Sequence, residues 1–495
     1  MVRTATVAGA EVALDHWIGG ERHPSTDAFV DTSPIDERPI AEVARGDAAV
    51  AEAAVAAAQQ AFDGWAATPP AERARILDAI ADGVEARLEQ LAALETTDNG
   101  ALLRSHRHSV MPRVANNFRF FAQALRELGH PDFETRGHRN HVTWDPSGVL
   151  VAITPWNAPL MLATWKVAPA LAAGCTVVLK PAEWAPLSAS VLADIARDAG
   201  LPDGVLNVVQ GIGEEVGPAL VGHPGVARIS FTGSDDTARH IARRAAANLT
   251  PLSLELGGKS PFLVFADCDL DTAVHHAVGQ YDNAGQVCLA GTRLLVEADV
   301  AEAFTERFLA RAGALRQGDP RDETTEVGPL ITRTHLERVD GFVRRAVAAG
   351  ATPLIGGGPN LELGGLYYRP TLLTGAEPGS EILTQEVFGP VLTIQTFGDE
   401  DEAVALANAT DYGLAAVIFT GDPVRAERVA ARVVAGTVWV NCFFVRDLRA
   451  PFGGARRSGI GREGGRWSFD FACDVKNTVT APDHWTTPPS TGRRG

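Results

Sequence analysis

Apolar positions in the first quarter of the chain recur at helical spacing. Residues 46–65 and 70–97 are rich in alanine and charge, and in the second stretch Ile76, Ile80, Val84, Leu88 and Leu91 fall three or four apart. That period predicts long helices with one face packed inward, the second starting at Pro69 and Pro70. Phe118, Phe121 and Leu125 predict a further helix over 112–127, with the aromatics as core. From about residue 147 the runs shorten. GVLVAITPWN, CTVVLKPAE, VLNVVQG and ARISFTGS each end an apolar run on small or polar residues, with helical stretches such as 187–199 and 235–248 among them. This alternation predicts an α/β fold, a mainly parallel sheet flanked by helices, with ligand sites where strands meet loops and helix starts. A second alternating region, 258–456, carries LVF, TRLLV, AAVIFT and GTVWVNCF as strands and is long enough for a separate domain. HVTW, within 125–146, and DVKNTVTA, within 468–484, read as strands that bridge domains or subunits. The tail, 485–495, is expected to be mobile.

Composition narrows the class. The chain has 495 residues and a formal net charge of -17, which disfavours a bulk nucleic-acid partner. No apolar stretch reaches the roughly 20 residues of a membrane helix, and the start lacks a secretory pattern; a cytoplasmic location is the expectation. Cysteines stand at 175, 268, 288, 442 and 473, without the spacing of a disulfide framework or a zinc site, and no metal is expected. His106 and His108, in RSHRHS, read as solvated.

Three segments carry candidate chemistry. Cys288 stands among small and apolar neighbours in NAGQVCLAG; a buried thiol and a nucleophile with room for an aldehyde both fit. Glu255, in LELGGK, is a charge inside an apolar run, either ion-paired or placed to activate water. Asn157, in TPWN, is a turn residue or an amide donor to an oxyanion. No GxGxxG follows the expected strand, so any phosphate loop is of another kind.

The ordered set TPWN, LKPAE, FTGS, LELGGKSP, GQVC, EVFGPV and PFGG spans nearly the whole chain and resembles the aldehyde dehydrogenase superfamily. The resemblance implies that superfamily's fold: a Rossmann-like NAD-binding domain (1–124 and 147–257), an α/β catalytic domain (258–456) and a β oligomerisation element (125–146 and 468–484) in a homodimer or homotetramer. It implies Cys288 as nucleophile, Glu255 as general base and Asn157, with the Cys288 backbone N–H, as oxyanion hole. Lys180 and Glu183 resemble the pair at the adenosine ribose; Gly233 and Ser234, helped by Trp156, the pyrophosphate turn; Glu386 and Phe388 the nicotinamide-side pair. Ala238 stands where many relatives have glycine. A carboxylate at 183 repels a 2'-phosphate, which favours NAD over NADP. Relatives that pass the acyl group to coenzyme A lack a glutamate at 255, so hydrolysis is implied.

The segment VRDLRAPFGGARRSGIGREGGRWSFDF is similar to semialdehyde dehydrogenases of the meta-cleavage routes for aromatic compounds, which act on 2-hydroxymuconate semialdehyde or its 5-carboxymethyl relative. On that comparison Arg446 or Arg449 pairs with a substrate carboxylate, with Arg113 a further candidate. Trp165, Val287, Leu289, Phe444 and Phe452 offer apolar walls, which leave a neutral aromatic or aliphatic aldehyde as the alternative substrate. A noncatalytic cofactor-binding protein of the same fold is the alternative to an enzyme.

Overall fold

The short apolar runs after residue 147 pair side by side in the computed structural model, which describes residues 2–482. The 485–495 tail and the last two residues of the 468–484 segment lie outside the described residues. Val149–Ile153 sits within an eight-stranded sheet, with Thr176–Lys180 and then Leu206–Val208 on one side, and Val226–Thr232 and then Leu252–Glu255 on the other. These strands are parallel. Their order across the sheet is 3-2-1-4-5 in chain sequence, a doubly wound arrangement that opens a crevice at the carboxyl ends where the winding reverses. Thr154–Asn157 follows the first of those ends, Lys180 and Glu255 close the second and fifth strands, and Gly233 and Ser234 follow the fourth. Antiparallel strands finish both edges: His16–Ile18 and Glu21–His23 on one, Gly459–Ile460 on the other.

Both faces of this sheet are covered, as parallel strands require. Val151, Val178 and Ile229 pack with Ala51, Ala54, Val55 and Ala58 of the Ala48–Ala66 helix. Leu150, Val177 and Leu179 pack on the opposite side with Leu77, Ile80, Phe118, Phe121 and Leu171. Each large apolar side chain so buried contributes about 1.5–3 kcal/mol.

A seven-stranded sheet is built from the second alternating region, with Pro261–Val264 paired to Arg293–Glu297 and to Ala415–Phe419, all parallel. HVTW and DVKNTVTA pair with each other: His138–Pro146 runs antiparallel to Cys473–Thr480, from Cys473 opposite Pro146 to Thr480 opposite Arg139. Asp132–Thr135 completes this three-stranded sheet.

Two expectations are corrected. The helix expected over 70–97 is two, Pro70–Ala86 and Leu88–Asn99, broken at Arg87 with φ -111° and ψ 17°. Val84 and Leu91 are both buried, seven residues apart, so the apolar stripe keeps its phase across the break and spacing alone does not reveal it. His106 is not solvated. It is buried, with Nδ1 2.9 Å from Thr96 Oγ1 and Nε2 3.6 Å from Glu95 Oε2, because a π-helical turn at His106–Val110 faces it inward.

Candidate active site

Cys288 lies on a loop whose approach is conformationally unusual. Asn283, Ala284 and Gly285 have φ of 49°, 54° and 70°, three successive left-handed residues that turn the chain sharply after the Leu270–Val278 helix. Side chains hold the turn. Asn157 Nδ2 donates to Gln286 O at 2.9 Å and Asn283 Nδ2 to Asn157 O at 3.1 Å, while Gln286 Oε1 accepts from Ile331 N at 3.0 Å. Asn157 is thereby fixed two residues from the thiol, with its second amide hydrogen still to use. A Cβ on Gly258 would lie 2.9 Å from the Cys288 carbonyl oxygen; glycine there lets the LELGG turn approach the cysteine. Burial pushes the Cys288 thiol up to about 12, reinforced by Glu386 and opposed by Arg446.

Glu255 closes its strand 4% exposed, and among the described residues neither carboxylate oxygen has a hydrogen-bond partner. Burial raises it well above the ordinary carboxylate range; repulsion from Glu463 adds to this, and Lys166, Arg446 and Arg462 oppose it. A buried carboxylate without a donor is unfavourable for folding by several kcal/mol when ionised. It marks a functional position unless a partner compensates it.

Along the crevice, Lys180 Nζ lies 3.0 Å from Glu183 Oε2, the lysine buried and the glutamate half-buried behind the strand end. Burial lowers the Lys180 ammonium and Glu183 opposes that. Ser234 caps the Asp235–Ala245 helix, accepting from Thr237 N at 3.2 Å, and Gly233 N donates to Glu255 O at 3.1 Å. Ala238 is buried against the sheet. Farther along, Glu386 Oε1 accepts from Gly258 N at 3.0 Å, and burial lifts this carboxyl to about 7. Phe388 meets Trp156 edge to face, with ring centroids 5.4 Å apart.

On the other side of Cys288 two guanidiniums share one indole. Arg446 lies 5.5 Å and Arg113 5.7 Å from the Trp165 ring, and Arg446 stacks 3.7 Å from the Phe452 ring. Arg113 donates from Nε to Asn117 Oδ1 at 3.2 Å, and Asn117 is fixed to Met161 O and Thr164 Oγ1. Burial, then the neighbouring Arg446 charge, pulls Arg113 down to about 10. Neither arginine has a carboxylate partner among the described residues. Arg449 departs from expectation: its side chain is 81% exposed and paired with Asp447, Nε to Oδ1 at 3.0 Å and Nη2 to Oδ2 at 2.6 Å. The short turn at Asp447 satisfies its guanidinium locally and keeps it out of the cluster.

One part of the site went unnoticed in the sequence. Lys166 Nζ donates to Glu463 Oε1 at 2.8 Å and to Ser230 Oγ at 2.9 Å, and Ser253 Oγ reaches the same carboxylate at 3.3 Å. This buried pair faces Glu255 electrostatically. A lysine within the apolar run LMLATWKVAPALAA was the available signal.

The sequence and the fold have counterparts. The model of the aldehyde dehydrogenase family matches residues 21–478, and the chain belongs to that family; it is an aldehyde dehydrogenase. It is 43% identical to a 2-hydroxymuconic semialdehyde dehydrogenase of Pseudomonas sp. (strain CF600), over 94% of this chain and 98% of that one. It is 40% identical to a 2-aminomuconic semialdehyde dehydrogenase of Danio rerio, with the same coverage of 94% and 98%. The crystal structure of betaine aldehyde dehydrogenase from Staphylococcus aureus in complex with NAD+ superposes with a TM-score of 0.93 at 36% identity, covering 96% of each chain.

Proposed function

We propose that this aldehyde dehydrogenase uses NAD to oxidise a carboxylated semialdehyde to the acid, through a thioester on Cys288 that water hydrolyses. The observation that carries the reading is the buried Glu255 carboxylate, free of any donor among the described residues and in the field of both Cys288 and Arg446. A raised carboxyl pKa suits a base that takes a proton from water near neutral pH. The Cys288 thiol gives its proton to water, the thiolate attacks the aldehyde carbon, and the carbonyl π electrons move to oxygen, where the Asn157 amide and the Cys288 backbone N–H receive the negative charge. NAD, held by Lys180, Glu183, Ser234, Glu386 and Phe388, would supply the acceptor for the hydride that this carbon must lose. Glu255 then deprotonates the water that attacks the thioester, and Cys288 departs as thiolate. Lys166 and Glu463 hold a fixed pair of charges behind the base.

The crevice residues fit a dinucleotide. Glu183 with Lys180 at its back offers acceptors and a donor to ribose hydroxyls, the helix start that follows Gly233, at Ser234 and Asp235, offers backbone N–H groups to phosphate, and Glu386 and Phe388 flank the far end by Cys288. The NAD+ complex of the related betaine enzyme supports this. Residues 1–124 and 147–257 then form the cofactor domain, 258–456 the catalytic domain, and the paired strands of 125–146 and 468–484 the bridge of a homodimer or homotetramer.

The substrate class rests on Arg113 and Arg446, two half-buried cations without a carboxylate partner among the described residues, and on the substrates named for the relatives. The test is NAD and NADP turnover across muconate semialdehydes and neutral aldehydes, with Cys288→Ala as control. Higher kcat/KM for the semialdehydes with NAD is expected. Greater turnover of neutral aromatic aldehydes would overturn the substrate class, and full activity of the alanine variant would overturn the mechanism.

A further inference from the structure

Phe388 has a φ of 60°, a left-handed backbone that a bulky aromatic residue keeps only where its surroundings impose it; such strain is worth on the order of 1–3 kcal/mol. One helix imposes it. From Arg333–Ala348, His335 Nε2 lies 2.7 Å from Phe388 O, while Arg338 donates from Nη1 to Val387 O at 2.6 Å and from Nη2 to Glu386 O at 2.8 Å. Three successive carbonyls of the 386–388 turn are therefore engaged by two side chains one helical turn apart. Burial lowers His335 to about 4, so the ring is neutral at working pH and Nε2–H is the donor to the carbonyl. A Cβ on Gly389 would lie 2.7 Å from Val339 Cγ2, which presses the same turn onto the same helix. The His335 ring also meets Trp156 at 5.6 Å.

We infer that His335 and Arg338 are positioning residues, which lock the 386–388 turn in its strained form and so aim Phe388 and Glu386 at the nicotinamide end of the cofactor. The inference rests on the proposed use of NAD. Without the clamp Phe388 relaxes to negative φ, its ring leaves Trp156, and Glu386 is no longer held beside Gly258.

The test uses the full chain as wild type, His335→Ala, His335→Gln and Arg338→Met. NAD affinity is measured by calorimetry, and Cys288 alkylation by iodoacetamide is measured without cofactor. Both donor-removing variants are expected to weaken NAD by about tenfold, as the loss of one or two hydrogen bonds implies. His335→Gln, which keeps an N–H donor, stays within about threefold of wild type, and alkylation falls by no more than about twofold in any variant, rising where Glu386, which raises the thiol, is released; these limits are small beside the tenfold expected for a lost donor. Unchanged NAD affinity in both His335→Ala and Arg338→Met overturns the clamp, as does alkylation that falls in step with affinity, since that reports general loosening. If one variant fails to fold, the other removes an independent donor of the same turn. Absence of NAD binding by the wild type instead overturns the cofactor reading beneath it.

Discussion

The hydrogen bond from Asn157 to Gln286 joins residues 129 apart, and much of what individual residues do here depends on such distant neighbours. The thiol is an example. Its pKa, raised to about 12 by burial, is opposed mainly by Arg446. Cofactor-free alkylation should therefore rise with pH through the neutral and alkaline range, about tenfold per unit while the thiol form dominates. Arg446→Met removes the opposing charge and should slow alkylation at pH 8; an unchanged rate would detach Arg446 from the cysteine. Glu95 makes a second case. Its carboxyl, fully buried, accepts from Leu160 N and Ser188 Oγ, both at 2.7 Å, and burial raises it to about 7. Because the folded value is above the unfolded one, the stabilisation is complete below about 4.5 and is lost as pH rises through about 7, a change of about 3 kcal/mol. Glu95→Gln should flatten the decline of Tm from pH 5 to 8, which thermal melts would read directly. In the sequence Cys288, Glu255 and Asn157 were legible only as an ordered set of motifs. His106 and Lys166 were not, because a polar residue's burial is decided by residues elsewhere in the chain, here Thr96, Glu95, Ser230 and Glu463. Arg449 failed for the converse reason: its partner, Asp447, stands two residues away.

Strands were the most legible elements, since each parallel strand buries both faces and appears as an uninterrupted apolar run. The helix break at Arg87 was hidden by preserved phase. The left-handed stretch before Cys288 was hidden too, because only one of its three residues is a glycine. That glycine is under double constraint: Gly285 has a φ of 70°, and a Cβ would run into the Gly389 backbone. The cysteine loop and the 386–390 turn are thus in backbone contact. Gly285→Ala should lower Tm by several degrees, consistent with roughly 1–3 kcal/mol of strain, and depress kcat/KM more than tenfold. Wild-type kinetics in this variant would mean that the loop and the turn can separate without consequence.

For the molecule as a whole, the two alternating halves and the HVTW and DVKNTVTA strands were legible in the sequence, but the strands of the first 44 residues were not. His16–Ile18 and Glu21–His23 extend the first sheet by antiparallel pairing, and such three-residue strands are too short for alternation to stand out. The three-stranded sheet ends in an open edge: among the described residues Cys473–Thr480 pairs on one side only, and Val475 and Val479 are 53% and 56% exposed on it. Pairing of that edge with another subunit predicts that Val475→Asp with Val479→Asp lowers the molar mass measured by sedimentation. An unchanged mass would remove the bridge from the assembly.

The Gly459–Ile460 strand has a mechanical consequence. The chain passes from the first sheet to the second at 256–260, directly after Glu255, and returns at 441–458 to pair beside that same strand. Two adjacent passages define a line rather than a point. Across that line the two sheets are also held by the Asn157–Gln286 hydrogen bond and by one continuous core that includes Leu150 and Val177 of the first and Phe262 and Leu294 of the second. Glu255 thus stands at the seam where the chain leaves one sheet for the other and where the returning chain pairs back onto it, so its backbone is anchored from both sides.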